Sequence, residues 1–273
     1  MKTNRVWAVY FTGTQTTSKV VEKLADELAG RLGCDRLTYD FSLPQARTEP
    51  MEFSAGDLVI FGTPVIAGRV PNVLLKYLAD IRGNGALGVP VVLYGNRNYD
   101  DALIELRDIM EAGGIRTIAA GAFIGEHSFS KVLGAGRPDE QDMAKVSGFA
   151  EDIFNKISSA DSFEMIEVKG TPKPYSGYYQ PRDRQGVHID IRKVKPKTDE
   201  SRCIKCGKCA KICTMGSIDA EDFSKVTGIC IKCCACIKRC PAGAKYYDDK
   251  GYLYHQHELE QQWSRRAEPE TFI

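Results

Sequence analysis

Residues 5–32, RVWAVYFTGTQTTSKVVEKLADELAGRL, decide how the first half of the chain is read. RVWAVYF (5–11) is an apolar run of strand length. From Thr16 to Leu32, the residues Val20, Val21, Leu24, Ala25 and Leu28 recur at helical spacing. Between the two lies a polar loop of threonines around Gly13. A strand followed by a loop and an amphipathic helix opens an alternating α/β pattern.

The alternation continues. DRLTYD (35–40), DLVIFGT (57–63), VPVVLYGN (89–96) and IRTIAAGAFIG (115–125) read as strands. VPNVLLKYLADIRG (70–83), NYDDALIELRDIMEAGG (98–114) and PDEQDMAKVSGFAEDIFNKI (138–157) read as helices, the first two closed by glycine. DLVIFGT is apolar almost throughout, as suits a strand covered on both faces. Five strands alternating with helices predict an α/β fold with a doubly wound five-stranded parallel sheet over residues 1–157.

The bulk composition is that of an ordinary globular chain. Of 273 residues, 43% are hydrophobic and 27% charged, and the formal net charge is +1. No whole-chain field calls for a nucleic acid or an anionic membrane. The apolar run after the basic start is short and ends in a polar loop, unlike a signal peptide. No run approaches the ~18 apolar residues of a membrane span. A cytoplasmic location is expected.

The pattern stops between 158 and 200. This stretch is rich in Pro, Gly and charge and holds Phe163, Tyr175, Tyr178 and Tyr179. Aromatic residues suit a strap lying on a surface; a flexible tether would use Gly and Ser. A cysteine-rich unit follows over 201–245. The tail, 246–273, has one expected short helix around His257 to Arg266.

The chain has ten cysteines. Cys34 stands alone and the other nine fall between Cys203 and Cys240. A disulfide scaffold would spread them through a small secreted domain. Instead Cys203, Cys206, Cys209 and Cys213 are spaced C-x2-C-x2-C-x3-C, and Cys230, Cys233, Cys236 and Cys240 repeat that spacing before Pro241. The duplication predicts two [4Fe–4S] clusters, with the fourth cysteine of each run reaching the other cube. Cluster one then takes Cys203, Cys206, Cys209 and Cys240. Cluster two takes Cys213, Cys230, Cys233 and Cys236. Cys234 is left over, expected as a small buried packing residue. Two zinc sites are the alternative, but zinc knuckles use paired C-x2-C steps without the third and fourth repeats. The unit resembles bacterial-type two-cluster ferredoxins over about 45 residues, a small α+β domain. It departs from them at Thr214, where such ferredoxins usually have proline.

The first loop sets backbone N–H groups and a helix N-terminus where a phosphate can sit. It is not a Walker loop, since no G-K-[ST] follows. The only GxGxxG, GNGALG (83–88), precedes a strand and reads as a turn. TGTQTT resembles the phosphate loop of flavodoxins, with Gln15 where a second glycine is usual. The resemblance spans residues 1–157 and implies FMN held by three loops. Thr12, Gly13, Thr14, Gln15, Thr16 and Thr17 would hold the phosphate. Thr63, Pro64, Val65 and Ile66 would meet one face and edge of the ring. Gly95, Asn96, Arg97 and Asn98 would supply the third loop, with Tyr99 as the stacking candidate. The switch-point rule for doubly wound sheets puts a ligand there independently. His127, beyond the fifth strand, is a further candidate to approach the ring. The alternatives are a Tyr99 packed in the core, a solvated Arg97 and a surface His127.

The whole chain resembles flavodoxin–ferredoxin fusion proteins of anaerobic bacteria and archaea. That implies electron transfer through FMN and two clusters, to or from a redox partner such as a ferredoxin, a reductase or an oxidoreductase complex. Two rivals stand beside it: an FMN-dependent reductase of a small organic acceptor, and a flavin-free docking module fused to a ferredoxin. Residues 203–240 carry seven basic and three acidic side chains. Lys205, Lys208, Lys211, Lys232 and Lys238 are therefore expected to raise the cluster potentials. The basic strap, with its scattered prolines, is weak evidence for nucleic acid, and none is expected as a partner.

Overall fold

In the computed structural model, which describes residues 3–273, β1 (Arg5–Tyr10) lies between β2 (Asp35–Asp40) and β3 (Asp57–Pro64), parallel to both. β4 (Leu87–Tyr94) follows β3, and the fifth strand runs beside β4 in two pieces, β5 (Arg116–Thr117) and β6 (Ala120–Ile124). Between the pieces, the Ile118 amide still donates to the Gly88 carbonyl at 2.9 Å. The order 2-1-3-4-5, parallel throughout, is that of flavodoxin-like folds.

Apolar side chains cover both faces of the sheet. On one face, α1 (Thr16–Leu32) and α4 (Glu140–Ser159) bury Val20, Leu24, Leu28, Val146, Phe149 and Ile153. On the other, α3 (Ala102–Ala112) buries Leu103, Leu106 and Met110. Each such burial stabilises by about 1.5–3 kcal/mol, so these stripes fix where the helices lie. α4 begins at a capping box in which the Asp139 and Asp142 side chains each accept from the other's backbone N–H.

Three expectations need correction. The helix expected over 70–83 shrinks to a 3-10 turn, Asn72–Leu74, and a single α turn, α2 (Leu75–Leu78). The chain beyond it pairs elsewhere: the Arg82 amide donates to Met51 and the Arg82 carbonyl accepts from Phe53, both at 2.9 Å. The tail helix starts earlier, as α7 (Lys250–Gln262), because the Asp249 carboxylate caps it at the Tyr252 amide, 2.8 Å away. Finally, the sheet does not end at its fifth strand. The chain terminus returns as β9 (Glu270–Phe272) and pairs antiparallel with β6, covering an edge that would otherwise be open.

The cysteine-rich unit holds β7 (Lys197–Thr198) paired antiparallel with β8 (Lys245–Tyr246), and two single helical turns, α5 (Lys208–Lys211) and α6 (Ala235–Lys238). Its two halves are conformational copies. Lys205 and Lys232 have φ of 53° and 56°, and Gly207 and Cys234 have φ of 72° and 58°. Cys234 thus holds the left-handed position that glycine fills in the first copy.

Candidate functional site

The two halves of the cysteine unit exchange their last ligand-type residue. One cavity, the outer one, is lined by Cys203, Cys206, Cys209 and Cys240. The inner cavity is lined by Cys213, Cys230, Cys233 and Cys236. The exchange follows from the two turns: each third cysteine sits on α5 or α6, and the helical turn carries the fourth away toward the neighbouring cavity. Among the described residues, no three His, Cys, Asp or Glu side chains converge on a point that would hold a single metal ion. A cubane, which takes one thiolate per iron, suits four separated sulfurs. Burial pushes the thiols of Cys233 and Cys236 up, so cationic iron would be needed to hold them as thiolates.

Cys234 also lines the inner cavity, at 3% exposure. Its sulfur donates to the Lys232 carbonyl at 3.3 Å and lies 3.6 Å from the Tyr252 hydroxyl. Burial pushes this thiol up to about 12.

A cleft of about 640 Å³ opens at the carboxyl ends of β1, β3 and β4, a size suited to a cofactor. Of the residues expected at FMN, Gly13, Thr14, Thr16, Thr17, Pro64, Val65, Ile66, Gly95, Arg97 and Asn98 line it. Gln15 is exposed with φ 71°, the conformation that favours glycine, immediately before α1. Thr12 and Thr63 are buried and do not line the cleft; neither hydroxyl has a hydrogen-bond partner among the described residues. The loop of Thr14, Thr16 and Thr17 at the N-terminus of a 17-residue helix fits a phosphate-bearing ligand.

One expected role does not hold, and two side chains are placed by other contacts. Tyr99 is buried against Tyr94, with ring centroids 5.6 Å apart, and its hydroxyl donates to Glu270 at 3.1 Å. It stacks on nothing in the cleft. The Asn96 side chain faces the tail: its amide donates to the Trp263 and Arg265 carbonyls at 2.6 Å each and accepts from the Ala267 amide at 3.2 Å. Arg97 is no solvated charge either. It pairs with Asp100 and lies 4.5 Å above the Tyr179 ring.

Part of the remaining wall comes from outside the first 157 residues. The strap contributes Tyr178, Tyr179, Gln180, Pro181 and residues 188–192. It is tied down by the Tyr179 amide on the Ala67 carbonyl (2.8 Å), the Tyr178 hydroxyl on the Val70 carbonyl (3.0 Å) and the Tyr175 hydroxyl on Asp108 (2.7 Å). The cysteine unit contributes Ile229, Cys230, Ile231, Lys232 and Cys233, so the cleft and the inner cavity share two cysteines. No residue of the outer cavity reaches the cleft.

Lys238 is also placed differently from its expected role near a cluster. Its ammonium is captured by the loop after β6, donating to Glu126 and to the carbonyls of His127 (2.6 Å) and Ser130 (2.7 Å). Phe129 of that loop packs on Tyr252 (4.6 Å) and His127 (5.2 Å), and Tyr252 packs on Tyr247 (4.1 Å). Burial, and then the nearby Lys238 charge, push the His127 imidazole down to about 3. Burial, then Arg97, push His255 down to about 4. The strap tyrosines announced a packed strap in the sequence. Phe129, His255 and Ile231 carried no signal, because only the fold brings them to one cleft.

Residues 195–218 match the 4Fe-4S binding domain family. No curated protein matches the chain. Among solved structures, a flavodoxin of Streptococcus pneumoniae TIGR4 is 21% identical over 56% of this chain and 99% of its own, with a TM-score of 0.39. A Fusobacterium nucleatum flavodoxin bound to flavin mononucleotide is 16% identical over 56% and 98%, with a TM-score of 0.39. An NADH:FMN oxidoreductase is 17% identical over 63% and 98%, with a TM-score of 0.42. The chain joins a doubly wound sheet of flavodoxin-like strand order to a segment that matches the 4Fe–4S binding domain family. No helix among the described residues is long and apolar enough to cross a membrane.

Proposed function

We propose that the chain relays single electrons between an outside redox protein and FMN by way of two [4Fe–4S] clusters. The observation that carries this reading is the shared wall: Cys230 and Cys233 line both the inner thiol cavity and the cleft at the switch point. Cluster one would be held by Cys203, Cys206, Cys209 and Cys240, and cluster two by Cys213, Cys230, Cys233 and Cys236. FMN would be held by Gly13, Thr14, Thr16 and Thr17 at its phosphate and by residues 64–66, Gly95, Arg97 and Asn98 at its ring. When bound, the cubanes supply one-electron exchange and FMN both one- and two-electron chemistry.

The chain's own residues do the positioning. Lys238 and Arg47 fasten the cysteine unit to the sheet, the latter through the Thr214 carbonyl at 2.7 Å. Tyr178, Tyr179 and the 188–192 segment crowd the cleft mouth, which argues against a freely entering organic acceptor. At the other end Cys206 is exposed, Ile204 is 66% exposed, and Lys205, Lys208 and Lys211 have no carboxylate partners among the described residues. That face suits an acidic redox partner.

Anaerobically purified protein should contain about eight iron and eight sulfide per chain, with one FMN. Substantial zinc with little sulfide would remove the cluster reading. Absence of flavin after adding FMN would leave a docking module.

A further inference from the structure

The two thiol cavities are near copies, and their differences lie in the donors aimed at sulfur. Each last cysteine accepts a backbone N–H from four residues on: Ser217 to Cys213 and Ala244 to Cys240, both at 3.3 Å. Cys240 also accepts from the backbone N–H groups of Ala242, Gly243 and Lys245, so what sets the inner cavity apart is its side-chain donors. The inner cavity has two further donors. The Thr214 hydroxyl lies 3.6 Å from Cys233 Sγ, and the Tyr247 hydroxyl 3.5 Å from Cys230 Sγ. A ligating thiolate has no proton to give, so both hydroxyls must donate. Neither has another hydrogen-bond partner among the described residues.

Among the described residues the outer cavity has no hydroxyl on a cysteine sulfur; its Thr198 hydroxyl donates to the Phe223 carbonyl at 3.4 Å. By the duplication, Pro241 stands where Thr214 does and Ala220 where Tyr247 does. The aromatic residue lining the outer cavity is Phe223, which lacks a hydroxyl. Cations stand at both cavities: Lys208 and buried Lys245 line the outer one, and Lys232 donates to the Cys230 carbonyl at 3.0 Å, beside the inner one.

Hydrogen bonds to cluster sulfurs stabilise the more negative, reduced state and raise the potential. We infer that Thr214 and Tyr247 hold cluster two at a higher potential than cluster one, so that electrons arriving at the exposed cluster run downhill toward the flavin cleft. This rests on the ligand sets proposed above. Each step would move one electron and no proton: a low-potential one-electron carrier would give its electron to cluster one, and cluster one would pass it to cluster two. Thr214 and Tyr247 act as positioning residues on ligand sulfurs.

The test is a stepwise anaerobic reduction of the full chain followed by EPR, with a Cys206→Ser variant to mark the signal of cluster one. Iron and sulfide counts come first; fewer than about eight of each would defeat the two-cluster reading itself. With both clusters present, cluster two should reduce first. Thr214→Val and Tyr247→Phe should each lower the ratio of reduced cluster two to reduced cluster one about tenfold, equivalent to about 59 mV for a one-electron couple. Thr214→Ser should restore it. Cluster one reducing first, or an unchanged ratio in both variants, overturns the inference. If either variant loses iron, ENDOR after deuterium exchange of the wild-type chain decides. Stronger exchangeable-deuteron coupling at cluster two supports the inference, and equal coupling at both clusters overturns it.

Discussion

Gly13 and Cys233 touch across the boundary between the flavodoxin-like sheet and the cysteine unit. A Cβ on Gly13 would stand 2.9 Å from Cys233 Cβ and 3.4 Å from its sulfur. The glycine of the first loop lets the backbone of that loop close on a proposed cluster ligand. Gly13→Ala should force the two units apart, costing about 1–3 kcal/mol by overpacking. Flavin reduction by the clusters should slow in stopped-flow absorbance while iron content stays the same. An unchanged rate would show that this contact does not set the transfer distance.

Thr17 is 1% exposed, at the start of α1, and lines the cleft. Thr17→Val keeps the shape and removes one donor. FMN affinity should fall by about 1 kcal/mol, roughly fivefold, in a fluorescence titration, with the iron count unaffected. Equal affinity would mean that the phosphate takes its donors elsewhere.

Cys234 and Cys240 should behave oppositely. Cys234→Ala should retain both clusters, because its sulfur points to the Lys232 carbonyl and Tyr252. Cys240→Ala should cost the cluster of Cys203, Cys206 and Cys209, with which it shares a cavity. Iron counts and EPR of the reduced variants check both. Loss of a cluster in the Cys234 variant would put the register of the second motif in error.

The tail is part of the sheet. Removing 263–273 would take away β9, expose the β6 edge and strip partners from Asn96 and from Arg137, whose guanidinium donates to the Ala267 carbonyl at 2.6 Å. Arg137 stays paired with buried Asp142, but a buried donor left unmet costs about 1–3 kcal/mol. The truncated chain should melt several degrees lower, with weaker FMN binding through the displaced Asn96 loop. A fragment of 1–157 shares this defect.

Acid should loosen the packing around Phe129. His127 and His255 are held neutral in the fold, near 3 and 4, whereas an unfolded imidazole titrates near 6.5. Protons therefore bind the unfolded chain preferentially. The stability is fully present above about pH 6.5 and is lost as pH falls toward 4, up to about 2 kcal/mol per imidazole by pH 5. Thermal melts of the wild type against His255→Gln across that range check the sign. The variant should show a shallower loss.

The alternation of strand and helix, the two cysteine runs and the three cleft loops could all be read from the chain itself. Each rests on a local regularity: apolar period, fixed ligand spacing, or the loop that follows a buried strand. The loop positions of Gly13, Thr17 and Pro64 needed only the doubly wound order to fall on one cleft. Other features depended on contacts between residues far apart in sequence. Tyr99 reads as a stacking residue until Tyr94 and Glu270 bury it. The Asn96 side-chain amide is taken by the tail, about 170 positions on, which nothing in the loop announces. The last three residues of β9 show no strand pattern, because the pairing comes from the open edge of β6. Sequence spacing determined which cysteines belong to one unit. Tertiary packing decided which cavity meets the cleft, since only the docked units bring Cys233 against Gly13.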